Sequence, residues 1–106
     1  MIDLDEKSLW TVKTILRDRV PDCKVIAFGS RVTGTAEKFS DLDLALVSES
    51  TMDWRRIESI KDAFSESDLP IMVDVLDWNT LSESFRAIIT ERSEVLQDAD
   101  EAVSRQ

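Results

Sequence analysis

GSRVTGTAEKFSDLDLALV, residues 29–47, holds both glycines of this 106-residue chain and two aspartates separated by one leucine. KVIAF (24–28), just before it, is a short apolar, β-favouring run, so Gly29 ends a buried strand. DLDLALVS (41–48) alternates and reads as a second strand. Side chains two apart on a strand share a face. Asp41 and Asp43 therefore project together, while Leu42, Leu44 and Leu46 take the other side. Two carboxylates so close repel each other, and a hard divalent cation both removes the repulsion and prefers oxygen ligands. Taken alone, an Asp-X-Asp doublet more often just starts a strand in solvent and caps a turn.

Gly29-Ser30 shifts that balance. A glycine at the end of a strand lets another group approach the backbone closely. Ser30 is placed to cap the short helix or turn that follows, whose free N–H groups and dipole favour an anion such as phosphate. Gly34 relaxes that helix or allows a left-handed turn. The arrangement reads as a phosphate cradle beside a metal clamp, with a plain serine-capped turn as the competing local reading. A third carboxylate, Asp74, lies within PIMVDVLDW (70–78), a third strand opened by Pro70. An aspartate inside IMVDVL is disfavoured by strand propensity and by burial unless something compensates it. Alternation puts Asp74 with Met72 and Leu76, and turns Asp77 the opposite way to begin the next turn. If this strand pairs with 41–48, Asp74 completes a three-carboxylate site and Asp77 does not.

The remaining pattern is helical. Leu9, Val12, Ile15 and Leu16 recur at helical spacing over residues 5 to 19, and Pro21 stops them. Asp53 caps a helix carrying Trp54, Ile57, Ile60 and Phe64 on one face. Thr80-Leu-Ser-Glu83 forms a capping box for a last helix with Leu81, Phe85, Ile88, Ile89, Val95 and Leu96 inward. The tail, 97–106, is polar and expected to fray. Together these predict a single small mixed α/β (α+β) domain over 1–106, with helices packed on a sheet of at least three strands. Trp10, Trp54 and Trp78 each sit in an apolar pattern and read as core residues rather than partner anchors.

Composition removes several chemistries. With no histidine there is no Ser-His-Asp triad, no Cys-His pair and no imidazole zinc site, so any metal is held by oxygen. The lone Cys23 lacks an activating base and a disulfide partner, which suits a reducing compartment. A net charge of −9, from 22 acids and 13 bases, disfavours direct contact with nucleic acid, though not with a small metal-neutralised nucleotide. No apolar run approaches the roughly 20 residues that span a bilayer. The acidic N-terminus lacks a signal pattern, so a cytoplasmic location with no membrane partner is expected.

Gly29-Ser30-Arg31-X-X-Gly34, then Ser40-Asp41-X-Asp43-Leu44 and a later lone strand aspartate, resembles the minimal nucleotidyltransferases. These are the smallest branch of the DNA polymerase β-like nucleotidyltransferase superfamily, and the resemblance covers nearly the whole chain. Val32-Thr33 departs from the small-plus-basic pair often found at that place, which removes one candidate phosphate-contacting cation. The resemblance implies a nucleotidyltransferase fold in which Gly29 and Ser30 hold the β- and γ-phosphates of ATP. It implies two Mg²⁺ ions (Mn²⁺ as a substitute) on Asp41 and Asp43, with Asp74 joining at the ion nearest the acceptor hydroxyl. For Arg31, support of the triphosphate and a solvated arginine on a short helix stand level. Freestanding proteins of this kind are similar to antitoxins that transfer AMP from ATP to a tyrosine of a HEPN-type ribonuclease toxin. Two other readings are a non-catalytic antitoxin that masks the toxin, and nucleotidyl transfer to a small molecule, as in aminoglycoside nucleotidyltransferases.

Overall fold

The computed structural model describes residues 2–99. Helix α1 (Glu6–Arg19) starts where the Asp5 carboxylate accepts the Ser8 N–H at 2.9 Å, and it stops at Val20, just before Pro21. Strand β1 (Lys24–Phe28), the one-turn helix α2 (Ser30–Thr33) and strand β2 (Leu42–Val47) follow. Then come α3 (Trp54–Ser65), β3 (Val73–Asp77), α4 (Glu83–Glu91) and β4 (Glu94–Gln97). The sheet order is β3-β2-β1-β4; β1 runs antiparallel to both β2 and β4, and β2 runs parallel to β3. Parallel neighbours need a crossover, and α3 supplies it.

Alternation along β2 divides the molecule. Leu42, Leu44 and Leu46 are fully buried against Val12 and Leu16 of α1, Ile60 and Phe64 of α3, and Val25 and Val75 of the flanking strands. On the opposite face Ala45 joins Ile26 and Ile89 of α4 in a smaller cluster. Asp43 shares this second face, at the end of the sheet where α2 begins. Mixed α/β architecture with helices on the sheet is as the sequence predicts. Among the described residues no helix is long and apolar enough to cross a membrane.

Five local expectations are corrected. The last helix does not run through Val95 and Leu96: it ends at Glu91, and these residues form a fourth strand on β1. A sequence without a glycine or proline at 90–97 carries no break signal, and only the free edge of β1 turns those residues into a strand. Gln97, expected to open a frayed tail, belongs to that strand and donates to the carbonyls of Val20 (2.8 Å) and Cys23 (3.0 Å). The rest of that tail from residue 100 lies outside the described residues. The cap of α4 is Ser82, accepting from Phe85 N–H, while Thr80 closes a 3₁₀ turn (Trp78–Thr80) by donating to Asp77 O. The third strand begins at Val73, not Pro70. Trp10 and Trp54, read as core, are 68% exposed, because each lies on the outer surface of its helix.

The position of β4 makes a direct test. Leu96 points into the main core and Val95 to the half-open face, whereas a continued helix would bury both. Leu96→Ala should cost about 2–5 kcal/mol in urea unfolding. Val95→Ala should cost under about 1 kcal/mol. Equal losses at the two positions would argue for the helix.

Candidate functional site

Gly29 is where the chain leaves β1 for α2, with φ +81°, a conformation L-residues rarely adopt. A Cβ there would fall on the Asp43 carboxylate, well inside van der Waals contact. The expected close approach to this glycine is therefore real, and the approaching group within the chain is Asp43 itself, delivered by the pairing of Phe28 with Asp43. Gly29, not Ser30, is the N-cap of α2, and no side chain caps that helix. The Ser30 hydroxyl is thus not spent on a cap, which corrects its expected role. Gly34 takes the left-handed conformation that ends α2 (φ +86°), as its position suggests.

The parallel register sets Asp43 beside Asp74, and places Leu44 beside Val75 on the core side. Asp43 is half-buried, while Asp41 and Asp74 are exposed. Burial, and then the negative charges of Asp74 and Asp41, push the Asp43 carboxyl above its ordinary value. Three like charges lower their energy by splaying, and among the described residues the aspartates do not close into a ready-made ligand cage. The all-oxygen donor set, with a carboxylate destabilised as an anion beside a Cβ-free turn, fits a hard divalent cation such as Mg²⁺. Asp41 and Asp74 also line a cleft of about 530 Å³, walled by Phe64, Leu69, Met72 and Val73.

Asp77 points away from this group, as alternation requires. It is buried and accepts from Met52 N–H (2.8 Å) and Asn79 N–H (3.0 Å), tying the loop before α3 to the turn that follows β3. Cys23 is buried, and desolvation, aided by the Asp22 charge, lifts its thiol to about 11, so it stays protonated. Arg31 is neither solvated nor free to reach outward. Its guanidinium is buried and donates to four backbone carbonyls, those of Asp3, Glu37, Lys38 and Ser40. No sequence signal announces this arrangement, because carbonyls carry no residue identity.

The sequence matches the family described as "Polymerase beta, Nucleotidyltransferase" over residues 11–102. It is 51% identical over 104 residues to a Haemophilus influenzae protein named "Probable protein adenylyltransferase MntA", covering 98% of this chain and 91% of that one. Among solved structures, a mutant of an MntA toxin–antitoxin complex aligns with a TM-score of 0.71 at 21% identity, covering 96% of this chain and 79% of that one. A toxin–antitoxin structure with AMP-PNP aligns at 0.65 and 22% identity, covering 92% and 77%. A Shewanella oneidensis complex of a tri-AMPylated HEPN toxin with its MNT antitoxin aligns at 0.60 and 18% identity, covering 96% and 78%. At those identities the structures speak for the fold. With a glycine turn, a carboxylate pair in register and a family match across most of its length, this chain belongs to the polymerase β nucleotidyltransferase family, and it is a nucleotidyltransferase of the MntA-like kind.

Proposed function

We propose that this protein transfers AMP from ATP to a tyrosine hydroxyl of a HEPN-type toxin and thereby acts as its antitoxin. The observation that carries the reading is Asp43 set beside Asp74 and against Gly29, in a chain half identical to a named MntA. The nucleotide and the toxin partner are supported by the neighbours' descriptions, which include AMP-PNP and a tri-AMPylated HEPN toxin.

Divalent cations bound here, two Mg²⁺ or Mn²⁺ ions, would neutralise triphosphate charge and acidify the acceptor hydroxyl. In this proposal Asp41 and Asp43 supply the carboxylate oxygens that hold them, and Asp74 adds a third on the acceptor side. Gly29 would meet the β- and γ-phosphates through its backbone N–H. Ser30 offers its hydroxyl and the first-turn N–H of α2, a donor with no partner inside the helix. In the same proposal Asp74 would receive the acceptor proton, and the cleft that it lines with Asp41 would take the acceptor side chain. Pyrophosphate leaves in line, away from the attacking oxygen. Incubation with labelled ATP, Mg²⁺ and the neighbouring gene's product should add one or more AMP groups to that product by intact mass. Tight binding with no mass change would instead support masking.

Charge on Asp43 gives a pH-dependent test. Its carboxyl is raised in the fold, so the ionised form weakens the native state. The penalty is fully present above the raised value, shrinks as pH falls through it, and vanishes below the unfolded value. Without metal, Asp43→Asn should therefore raise Tm at pH 7, with the gain fading on acidification. Mg²⁺-ATP should raise the Tm of the wild type and not of Asp41→Asn/Asp43→Asn, since only a ligand of the native state stabilises it. A pH-independent gain, or an intact Mg²⁺-ATP shift in the double variant, would count against the site.

Asp74 and Asp77 separate chemistry from scaffolding. Asp74→Asn removes the charge next to the acceptor, so transfer should fall by about 10²–10⁴-fold while Mg²⁺-ATP affinity changes little. Asp77→Asn loses one of two acceptors for buried N–H groups and should cost about 1–3 kcal/mol of stability. Transfer per folded molecule should stay near normal in that variant. The reverse pattern in transfer would place the acceptor side of the site at Asp77.

A further inference from the structure

Asp41 differs from the other two aspartates in what holds it. Asp43 and Asp74 sit inside a strand ladder, whereas β2 begins only at Leu42, whose N–H bonds to Met72 O. The position of Asp41 is therefore set by residues 35–40, a segment without helix or strand. Within it the Ser40 N–H bonds Glu37 O at 3.2 Å and the Glu37 N–H bonds the Ser40 hydroxyl at 2.8 Å, closing a small turn. That turn directs three carbonyls at one cation.

The cation is Arg31. Its side chain is only 7% exposed, and Nε donates to Ser40 O (3.0 Å) while Nη2 donates to Lys38 O (3.1 Å) and Glu37 O (3.3 Å). Nη1 donates to Asp3 O at 2.7 Å, and the Asp3 N–H returns a bond to Arg31 O at 2.7 Å, so the segment before α1 joins the same knot. A planar guanidinium presents five donors in a fixed fork and can gather carbonyls from several directions; an ammonium on one nitrogen cannot match that geometry. The backbone of Arg31 belongs to the first turn of α2, directly after Gly29-Ser30. One residue thus links the Gly29-Ser30 turn to the loop that ends at Asp41.

We propose that Arg31 is a positioning residue: by clasping the Glu37–Ser40 turn it fixes the backbone that carries Asp41 relative to α2, and does not itself bind phosphate. The proposal rests on the reading of Asp41 as a metal-holding carboxylate. Four of its five N–H donors are already committed to carbonyls, which leaves little capacity for a triphosphate. The clasp acts on the metal site from behind, in the way that outer partners orient a ligand in other metal centres.

The test is Arg31→Lys in the full chain, read first by hydrogen exchange without nucleotide or metal. The Glu37 and Ser40 amides should exchange at least about tenfold faster, while the β1–β2 ladder is unchanged. In the transfer assay the Mg²⁺ concentration for half-maximal rate should rise about 10–100-fold. The KM for ATP at saturating Mg²⁺ should move little. Ser40→Ala removes the acceptor of the Glu37 N–H from the other side of the turn and should shift both readouts the same way. It serves as the deciding variant if Arg31→Lys does not fold. Unchanged loop exchange overturns the clasp, and faster exchange with a wild-type Mg²⁺ requirement overturns the positioning role. A raised KM for ATP at saturating Mg²⁺ with unchanged exchange would make Arg31 a phosphate contact. Asp41→Asn, run alongside, tests the underlying reading separately: undiminished transfer there removes Asp41 from the site, whatever the loop does.

Discussion

A half-buried carboxylate held against a glycine is the constraint on which this structure turns. Asp43 occupies the space that a side chain at residue 29 would need, and it does so beside Asp74 on the next strand. Both features cost free energy in the absence of a counter-charge: burial of an anion, and repulsion between neighbouring anions. The same strand carries the compensation on its other face. Leu42, Leu44 and Leu46 are completely buried, and each such side chain stabilises the fold by about 1.5–3 kcal/mol. Strand alternation lets one short segment be at once the centre of the core and the edge of the site.

Polar braces hold the irregular segments around that strand, and each ends on backbone. Arg31 gathers the loop before β2, Asp77 joins the loop before α3 to the turn after β3, and Gln97 fastens β4 to the turn between α1 and β1. Arg56 adds a bidentate pair with Asp22, which holds that carboxyl below its ordinary value and ties α3 to the same turn. A small sheet with few layers has little apolar area to spare for its connections, so satisfied hydrogen bonds define where those connections lie. The consequence for function is that the candidate site stands on two kinds of support. Asp43 and Asp74 are placed by the sheet ladder, whereas Asp41 is placed by a loop and whatever grips it.

Much of this was legible before any coordinates. The two-residue period of DLDLALV separated Asp41 and Asp43 from the leucines, the aspartate inside IMVDVL marked a third strand with an unusual demand, and the opposite facing of Asp77 followed from the same count. Gly29 was recognisable as a place of close approach because a glycine at the end of a strand carries no Cβ to keep another group off the backbone. The four-residue β4 was not legible, because its residues suit a helix equally well and only the unpaired edge of β1 decides between them. Nor were the exposed positions of Trp10 and Trp54, since helical spacing places a residue on a face without saying how far the neighbouring element extends.

What the sequence by itself determined is the chemistry available and its order along the chain: oxygen ligands only, a glycine turn, and three aspartates, two within strands and one just ahead of a strand. Those properties are local, fixed by residue type and by the period of the backbone. Which aspartates become neighbours, and what Arg31 does, belonged to the tertiary structure alone. Register between β2 and β3 is settled by packing on the leucine face, and the partners of Arg31 are carbonyl groups that every residue shares. A pattern of side chains cannot encode contacts made to the backbone, so that part of the site exists only once the chain has folded.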